Sequence, residues 1–206
     1  MKKFLIADDH HIVRAGLVFI IKEQFLQVEI DECRDGPGAW EKIQANAYDL
    51  LILDISMPST DLFTLLKNTF ILRPDQKILV LTMSSEQIYA KKYLQLGVKG
   101  FMNKEASPAE ISQAIISILN NRRYISASVR NTLALEILDP ENKSLFDTLS
   151  QREMEVMNYL IDGKLVSEIA NALSIHISTV STHKASILQK LGVSNVIELS
   201  KLVQMF

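Results

Sequence analysis

Leu50-Leu51-Ile52-Leu53-Asp54-Ile55-Ser56-Met57-Pro58 runs a block of aliphatic residues into a single carboxylate and stops at a proline. A short apolar run bounded by a breaker is the pattern of a strand buried on both faces of a parallel sheet, and it delivers Asp54 to the strand's C-terminal edge. Ligands of open α/β sheets collect along that edge. A second apolar strand, Lys3-Phe4-Leu5-Ile6-Ala7, ends in Asp8-Asp9. If the two strands are neighbours in register, three carboxylates converge and repel one another until a cation joins them. An oxygen donor set of that kind suits Mg²⁺, which keeps several of its own waters. His10 and His11 follow the acids, but imidazole suits softer ions, so neither is assigned as a ligand.

Working outward, the same alternation recurs. His10 to Ile21 has apolar residues at helical spacing, with Asp9 placed to cap the helix. Val28 to Cys33 alternates as a strand with one wet face. Gly36-Pro37-Gly38 breaks the chain before a helix through Trp40 and Ile43, and another helix lies around Leu62 to Phe70. Lys77-Ile78-Leu79-Val80-Leu81-Thr82 is a fourth strand ending in a hydroxyl. Gln87 to Leu96 is a helix closed by Gly97, and Val98 to Lys104 is a fifth, shorter strand ending in a lysine. Ser107-Pro108-Ala109-Glu110 is a capping box that opens a helix through Leu119. The expected fold is an α/β doubly wound five-stranded parallel sheet over residues 1–121.

Residues 122–145 read as a linker, helical near Val129 to Leu138 and ending in the breaker stretch Asp139 to Ser144. Residues 146–206 are expected to form a small all-α domain. Ser150-Gln151-Arg152-Glu153 is a second capping box, leading a helix to Ile161 that stops at Asp162-Gly163. A short helix from Val166 to Leu173 follows, then a turn at Ser174 to Ile177, and Ser178 caps a helix to Leu191 closed by Gly192. Asn195 to Met205 forms the last helix. Two short helices joined by a tight turn are a helix-turn-helix unit.

Composition narrows the class. The chain has 206 residues, is 48% hydrophobic, and carries 22 basic against 24 acidic residues for a net charge of −2. No apolar run approaches the ~20 residues that span a bilayer, and the first residues lack the pattern of a signal peptide. The single cysteine, Cys33, excludes an internal disulfide and fits a small buried hydrophobe in a cytoplasmic protein. Residues 146–206 hold 5 basic and 6 acidic residues, so the helix-turn-helix half has no basic excess.

Asp8-Asp9, Asp54, Thr82 and Lys104, each ending a successive strand, resemble the receiver domain of bacterial two-component response regulators. Leu149-Ser150-Gln151-Arg152-Glu153-Met154-Glu155-Val156, Glu168-Ile169-Ala170 and Thr179-Val180-Ser181-Thr182-His183-Lys184 resemble the LuxR-type helix-turn-helix. A strand-end hydroxyl or a buried aromatic is ordinary by itself; the ordered set is not. Together the motifs resemble the NarL/FixJ family over essentially the whole chain. The resemblance implies that Asp54 accepts a phosphoryl group from a sensor histidine kinase or phosphotransfer protein. It implies that Asp8, Asp9, Asp54 and the backbone carbonyl of Ser56 hold Mg²⁺. It further implies that Lys104 and Thr82 contact phosphoryl oxygens while Phe101 turns inward as the switch aromatic. The output would be transcription regulation, by a homodimer formed on phosphorylation, through binding of double-stranded DNA.

Departures from the pattern sharpen these expectations. Leu62 stands where the family usually has a glycine after Met-Pro. Ser167, Ser178 and Ser181 occupy positions that often carry Lys or Arg, and Leu165 replaces a polar cap. On a helical wheel Val180, His183, Ile187 and Leu191 face the domain, while Ser178, Ser181, Thr182, Ala185 and Gln189 face the groove. Thr179 lies at the same end of the helix. Lys184, Lys190, Lys164 and Arg152 remain for phosphates. The serines also motivate a regulator whose C-terminal domain binds protein rather than DNA. An Mg²⁺-dependent phosphohydrolase would place a second Asp two residues after the nucleophile; Ser56 sits there, so no enzyme activity beyond slow self-dephosphorylation is expected.

Overall fold

A computed structural model of the chain describes residues 1–83, 86–138 and 144–205. The chain divides into two compact units, Met1–Ala127 and Ser128–Phe206. The breaker stretch Asp139 to Lys143, read from sequence as linker, lies outside the described residues.

In the first unit, six parallel strands form one sheet in the order β2-β1-β3-β4-β5-β6. They are β1 (Lys2–Ala7), β2 (Val28–Cys33), β3 (Leu50–Asp54), β4 (Ile78–Thr82), β5 (Gly100–Asn103) and β6 (Tyr124–Ile125). The helices between them are α1 (His11–Gln24), α2 (Gly36–Ala45), α3 (Leu62–Leu72), α4 (Glu86–Leu96) and α5 (Pro108–Leu119). Five strands match the sequence expectation. The sixth does not: Tyr124 and Ile125, expected in the linker, pair with Gly100 and Phe101. The helix α6 (Ala127–Leu138) follows at once, over the stretch read from sequence as helical near Val129 to Leu138.

Every residue of β3 and β4 is buried, because a central parallel strand is covered by helices on both faces. One face carries Phe4, Ile6, Leu50, Ile52, Leu79 and Leu81 against Leu17 and Ile21 of α1 and Ile111, Ile115 and Ile118 of α5. The alternate residues turn to the other face, where Phe63, Tyr93 and Phe101 form a stack with centroids 4.5 and 5.4 Å apart. Side chains of this kind each contribute about 1.5–3 kcal/mol when fully buried. β2 is an edge strand and only half-buried. Cys33 at its end is half-buried, and burial pushes its thiol up to about 11.

Helix starts differ from the sequence reading at three places. Asp9 does not cap α1: His10 is the N-cap and makes no side-chain bond there, while the Asp8 carboxylate accepts the His10 N–H at 2.8 Å. Gly36-Pro37-Gly38 is not a break but the first turn of α2, because Asp35 caps it by accepting from the Gly38 N–H at 2.7 Å. Ser178 is not a cap either, and its own helix begins at Ile177 with His176 as N-cap. Gly36 is needed for contact rather than for turning. Its N–H donates to Thr60 Oγ1 at 2.7 Å, and a Cβ there would stand 2.6 Å from that oxygen. Thr60 Oγ1 in turn donates to Pro58 O at 2.8 Å, so α2 holds the loop that follows Asp54.

The second unit contains a 3₁₀ turn (Leu145–Thr148), α7 (Gln151–Ile161), α8 (Val166–Ala172), α9 (Ile177–Leu191) and α10 (Val196–Gln204). Met154, Val156, Met157, Ile169, Val180, Ile187, Leu199 and Val203 fill its core. The expected box at Ser150 is present: Glu153 N–H donates to Ser150 Oγ at 3.2 Å and Ser150 N–H to Glu153 Oε2 at 2.6 Å. Without a polar side chain at Leu165, α8 keeps half of such a box, the Leu165 N–H donating to Glu168 Oε2 at 2.7 Å. The Glu153 carboxylate goes further. It accepts from Ser186 Oγ at 2.6 Å and from Lys190 Nζ at 2.7 Å, fastening α7 to α9. Burial alone would raise its pKa, but Lys190, Ser186 and Ser150 outweigh burial and hold it at about 2.

Two outcomes are expected. Gly36→Ala destabilises the first unit by about 1–3 kcal/mol through overpacking against Thr60, read as a lower urea midpoint at unchanged m-value; an unchanged midpoint means Thr60 yields freely. For Glu153 the folded pKa is depressed, so its stabilisation is present above the ordinary pKa of 4.5 and is lost as pH falls towards about 2. Hydrogen exchange in α7 and α9 therefore accelerates across that window, and Glu153→Gln flattens the dependence; an equally steep variant assigns the acid sensitivity to other groups.

Candidate functional site

The strand order reverses between β2-β1 and β3, and the C-terminal ends of β1 and β3 lie side by side there. Ligand crevices of doubly wound sheets form at that position. Asp8, one residue beyond β1, continues the ladder through its N–H to Cys33 O at 3.2 Å. Arg14, 4% exposed on α1, donates from Nη1 to Asp8 O at 2.7 Å and from Nε to Glu32 Oε2 at 3.2 Å. Asp54 closes β3, and Lys104 follows β5 with its N–H on Thr82 O at 2.7 Å.

These ends bring the charged groups together. Lys104 Nζ lies 2.8 Å from both Asp8 Oδ2 and Asp54 Oδ2, and all three side chains are 2% exposed. Burial pushes Asp54 up to about 6; Lys104 pulls it down, and Asp8 adds to the rise. Burial works against the Lys104 ammonium too, but Asp54 and Asp8 keep its pKa above the ordinary value. Asp9 is at the solvent side of the same pocket. Ser56, half-buried, supplies a backbone hydrogen bond to the Asp54 carboxylate.

Ligand atoms of Asp8, Asp9, His10 and Asp54 all lie within 4.8 Å of one another. Three carboxylates against one ammonium leave an excess of negative charge, and the donors are mostly hard oxygens, so the pocket fits a metal ion. His10 was not expected among them. Its Nδ1 is 2.7 Å from Asp9 Oδ1 and 3.2 Å from Asp8 Oδ1, and the Asp8 carboxylate also takes the His10 N–H.

Thr82 ends β4 opposite Asn103 and is 2% exposed. Phe101, two residues up β5, is 1% exposed and stacked on Tyr93, so its ring is already inward. Sequence reasoning missed Glu86, the first residue of α4. Its carboxylate accepts the Asn103 N–H at 2.5 Å and the Ser126 hydroxyl, tying the start of α4 to the residue before Lys104 and to the residue before α6. The loop after Asp54 takes its left-handed residue at Ser59, with φ of 52°, and Leu62 is a buried first residue of α3.

In the second unit the face expected to be outward is outward: Ser178, Ser181, Thr182, Ala185 and Gln189 are exposed on α9, as is Thr179, while Val180, Ile187 and Leu191 are buried. His183 and Lys184 are half-buried. Two of the cations expected to face phosphates are engaged within the unit. Lys190 is held by Glu153, and Arg152 donates to Glu155 at 2.6 Å and to Leu173 O at 2.8 Å.

Comparison with known proteins places both units. Residues 4–116 match the response regulator receiver domain, and residues 147–203 match the bacterial regulatory proteins of the luxR family. Response regulator UvrY of Escherichia coli is 32% identical over 98% of this chain and 93% of its own. Response regulator GacA of Pseudomonas syringae is 31% identical over 98% and 95%. Among solved structures, RcsB from Salmonella enterica serovar Typhimurium, bound to promoter rprA with the phosphomimetic beryllofluoride, is 30% identical with a TM-score of 0.75 over 100% of each chain. With its strand-end acids and lysine in one sheet edge and its capped helices in the second unit, the chain belongs to the NarL/FixJ-type response regulators, a receiver domain joined to a LuxR-family domain.

Proposed function

We propose that this response regulator accepts a phosphoryl group on Asp54 from a histidine kinase or phosphotransfer protein and thereby controls DNA binding by α9. The observation that carries the reading is the Asp54 carboxylate, buried at the sheet edge between Lys104 and Asp8. One carboxylate oxygen bonds to phosphorus as the donor's phosphorus–nitrogen bond breaks, and the electron pair leaves on the imidazole nitrogen. Asp8, Asp9, Asp54 and the Ser56 carbonyl would hold Mg²⁺, which when bound supplies charge neutralisation at the phosphoryl oxygens.

The remaining groups act on the product. Lys104 transfers its ammonium from the Asp54 carboxylate to a phosphoryl oxygen, and the Thr82 hydroxyl donates to another. Phe101 stays in the space beside Tyr93 that this movement keeps filled. Because the aspartyl phosphate has no acid placed two residues on, hydrolysis is slow self-dephosphorylation and the chain is not otherwise an enzyme.

In the solved relative, RcsB is bound to promoter DNA, and another structure holds two RcsB dimers on two parallel DNAs. By that analogy α9 of this chain enters the major groove and a phosphorylated homodimer reads a two-fold site. Acetyl phosphate with Mg²⁺ tests the first half. The wild-type chain gains one labile phosphoryl group by mass, and Asp54→Asn gains none; undiminished labelling of that variant moves the nucleophile elsewhere. Replacing Ser181 with lysine tests the second half. Non-specific DNA binding tightens, and the slope of log affinity against log salt steepens by about one; an unchanged slope removes Ser181 from the groove face.

A further inference from the structure

The base preference of α9 can be read from its hydrogen-bond donors, provided that α9 is the DNA-reading helix proposed above. A serine or threonine hydroxyl has one proton. Ser181 Oγ donates to Ile177 O and Thr182 Oγ1 donates to Ser178 O, each at 3.0 Å within the helix. Towards a groove these two residues therefore offer oxygen lone pairs and, from Thr182, a methyl. Ala185 offers a methyl, and Ile177 beside them is 57% exposed.

Guanine is most often recognised by a bidentate Arg or Lys at O6 and N7. The outward positions Ser178, Ser181, Thr182, Ala185 and Gln189 contain no cation. Of the neighbouring cations, Lys190 is bound to Glu153 at 2.7 Å and Arg152 to Glu155 and the Leu173 carbonyl, while the half-buried Lys184 flanks the outward stripe beside Ser181 rather than lying in it. Releasing Lys190 would leave a carboxylate that is 5% exposed without its cation. Acceptor lone pairs match the amino groups of adenine and cytosine alike and so do not discriminate, but methyls match the thymine C5-methyl, and a glutamine amide matches adenine N6 and N7 in bidentate fashion. Gln189 is exposed and has no hydrogen-bond partner for its side chain among the described residues.

We infer that α9 selects A·T base pairs, reading thymine methyls with Thr182 and Ala185 and adenine with Gln189, and that guanine recognition is not part of its code. Each half-site then contains a thymine whose methyl contributes to affinity, and the cost of removing it is that of one buried methyl.

The test uses the full chain with beryllofluoride and Mg²⁺ in a selection from random duplex DNA, followed by measured affinities for the enriched duplex. The expected core is A·T-rich, and replacing its contacted thymines by uracil one at a time weakens binding about fourfold at one or two positions, the equivalent of ~0.8 kcal/mol per methyl. Thr182→Ser abolishes the distinction between thymine and uracil at its position. An enriched motif that is indifferent to uracil but weakened by 7-deazaguanine overturns the inference while leaving DNA binding intact. Absence of any enrichment, from protein that takes up the mimic, overturns both this inference and the DNA-binding reading on which it rests, and sends the search to protein partners.

Discussion

The receiver unit depends on one arrangement, the Lys104 ammonium held 2.8 Å from both Asp8 and Asp54 in a pocket where each side chain is 2% exposed. Burying an ion pair is close to neutral in free energy, but leaving a charge without its partner costs several kcal/mol. Here the count is uneven, two buried carboxylates to one ammonium. Burial is the main reason Asp54 is lifted to about 6, with the second buried carboxylate, Asp8, adding to it, and the excess negative charge favours a divalent cation in the pocket. The pocket is thus stable enough to form and unbalanced enough to respond. The parallel sheet makes this possible, because the three groups follow β1, β3 and β5 and all leave from the same edge.

Holding three strand ends in register to this precision requires supports that are not themselves reactive. Arg14 ties the Asp8 carbonyl to Glu32 across α1 and β2. Gly36 and Thr60 fix the loop after Asp54. Glu86 fixes the residue before Lys104 and, through the same carboxylate, Ser126 at the start of α6. Asn103, the residue before Lys104, is thus held by the same carboxylate that holds Ser126 in the segment leaving the sheet. β6 adds to this, since its pairing with Gly100 and Phe101 puts the exit segment on β5.

What the sequence revealed and what it hid follow from range. The strands β1, β3, β4 and β5 were legible because a fully buried strand is a continuous apolar run, and the boxes at Ser107 and Ser150 because a cap and its partner are three residues apart. Asp8, Asp54 and Lys104 were legible as strand ends. β6 was not, because Tyr124 and Ile125 are too few to make a pattern and are strand only by pairing with β5. The cap of α1 was misassigned because Asp8 and Asp9 are equivalent in sequence and only the fold decides which carboxylate meets the His10 N–H. The bond from Lys190 to Glu153 was invisible for a simpler reason: it joins residues 37 apart, and nothing local marks either as engaged.

That bond also changes how the two halves of the chain divide their charges. The C-terminal unit has few cations for its helix-turn-helix, and it uses Lys190 and Arg152 to hold α7, α9 and the end of α8 together. Fewer free cations mean fewer counterions released on DNA, hence weak binding by one copy and a shallow salt dependence. Under the proposed function, affinity then comes from joining two copies, where the second contact is made at the high effective concentration set by the first. A receiver that controls pairing would therefore control occupancy more strongly here than in a chain with a basic recognition helix. Under that proposal Ser178 and Ser181 on α9 would be what makes control of pairing by the first unit matter.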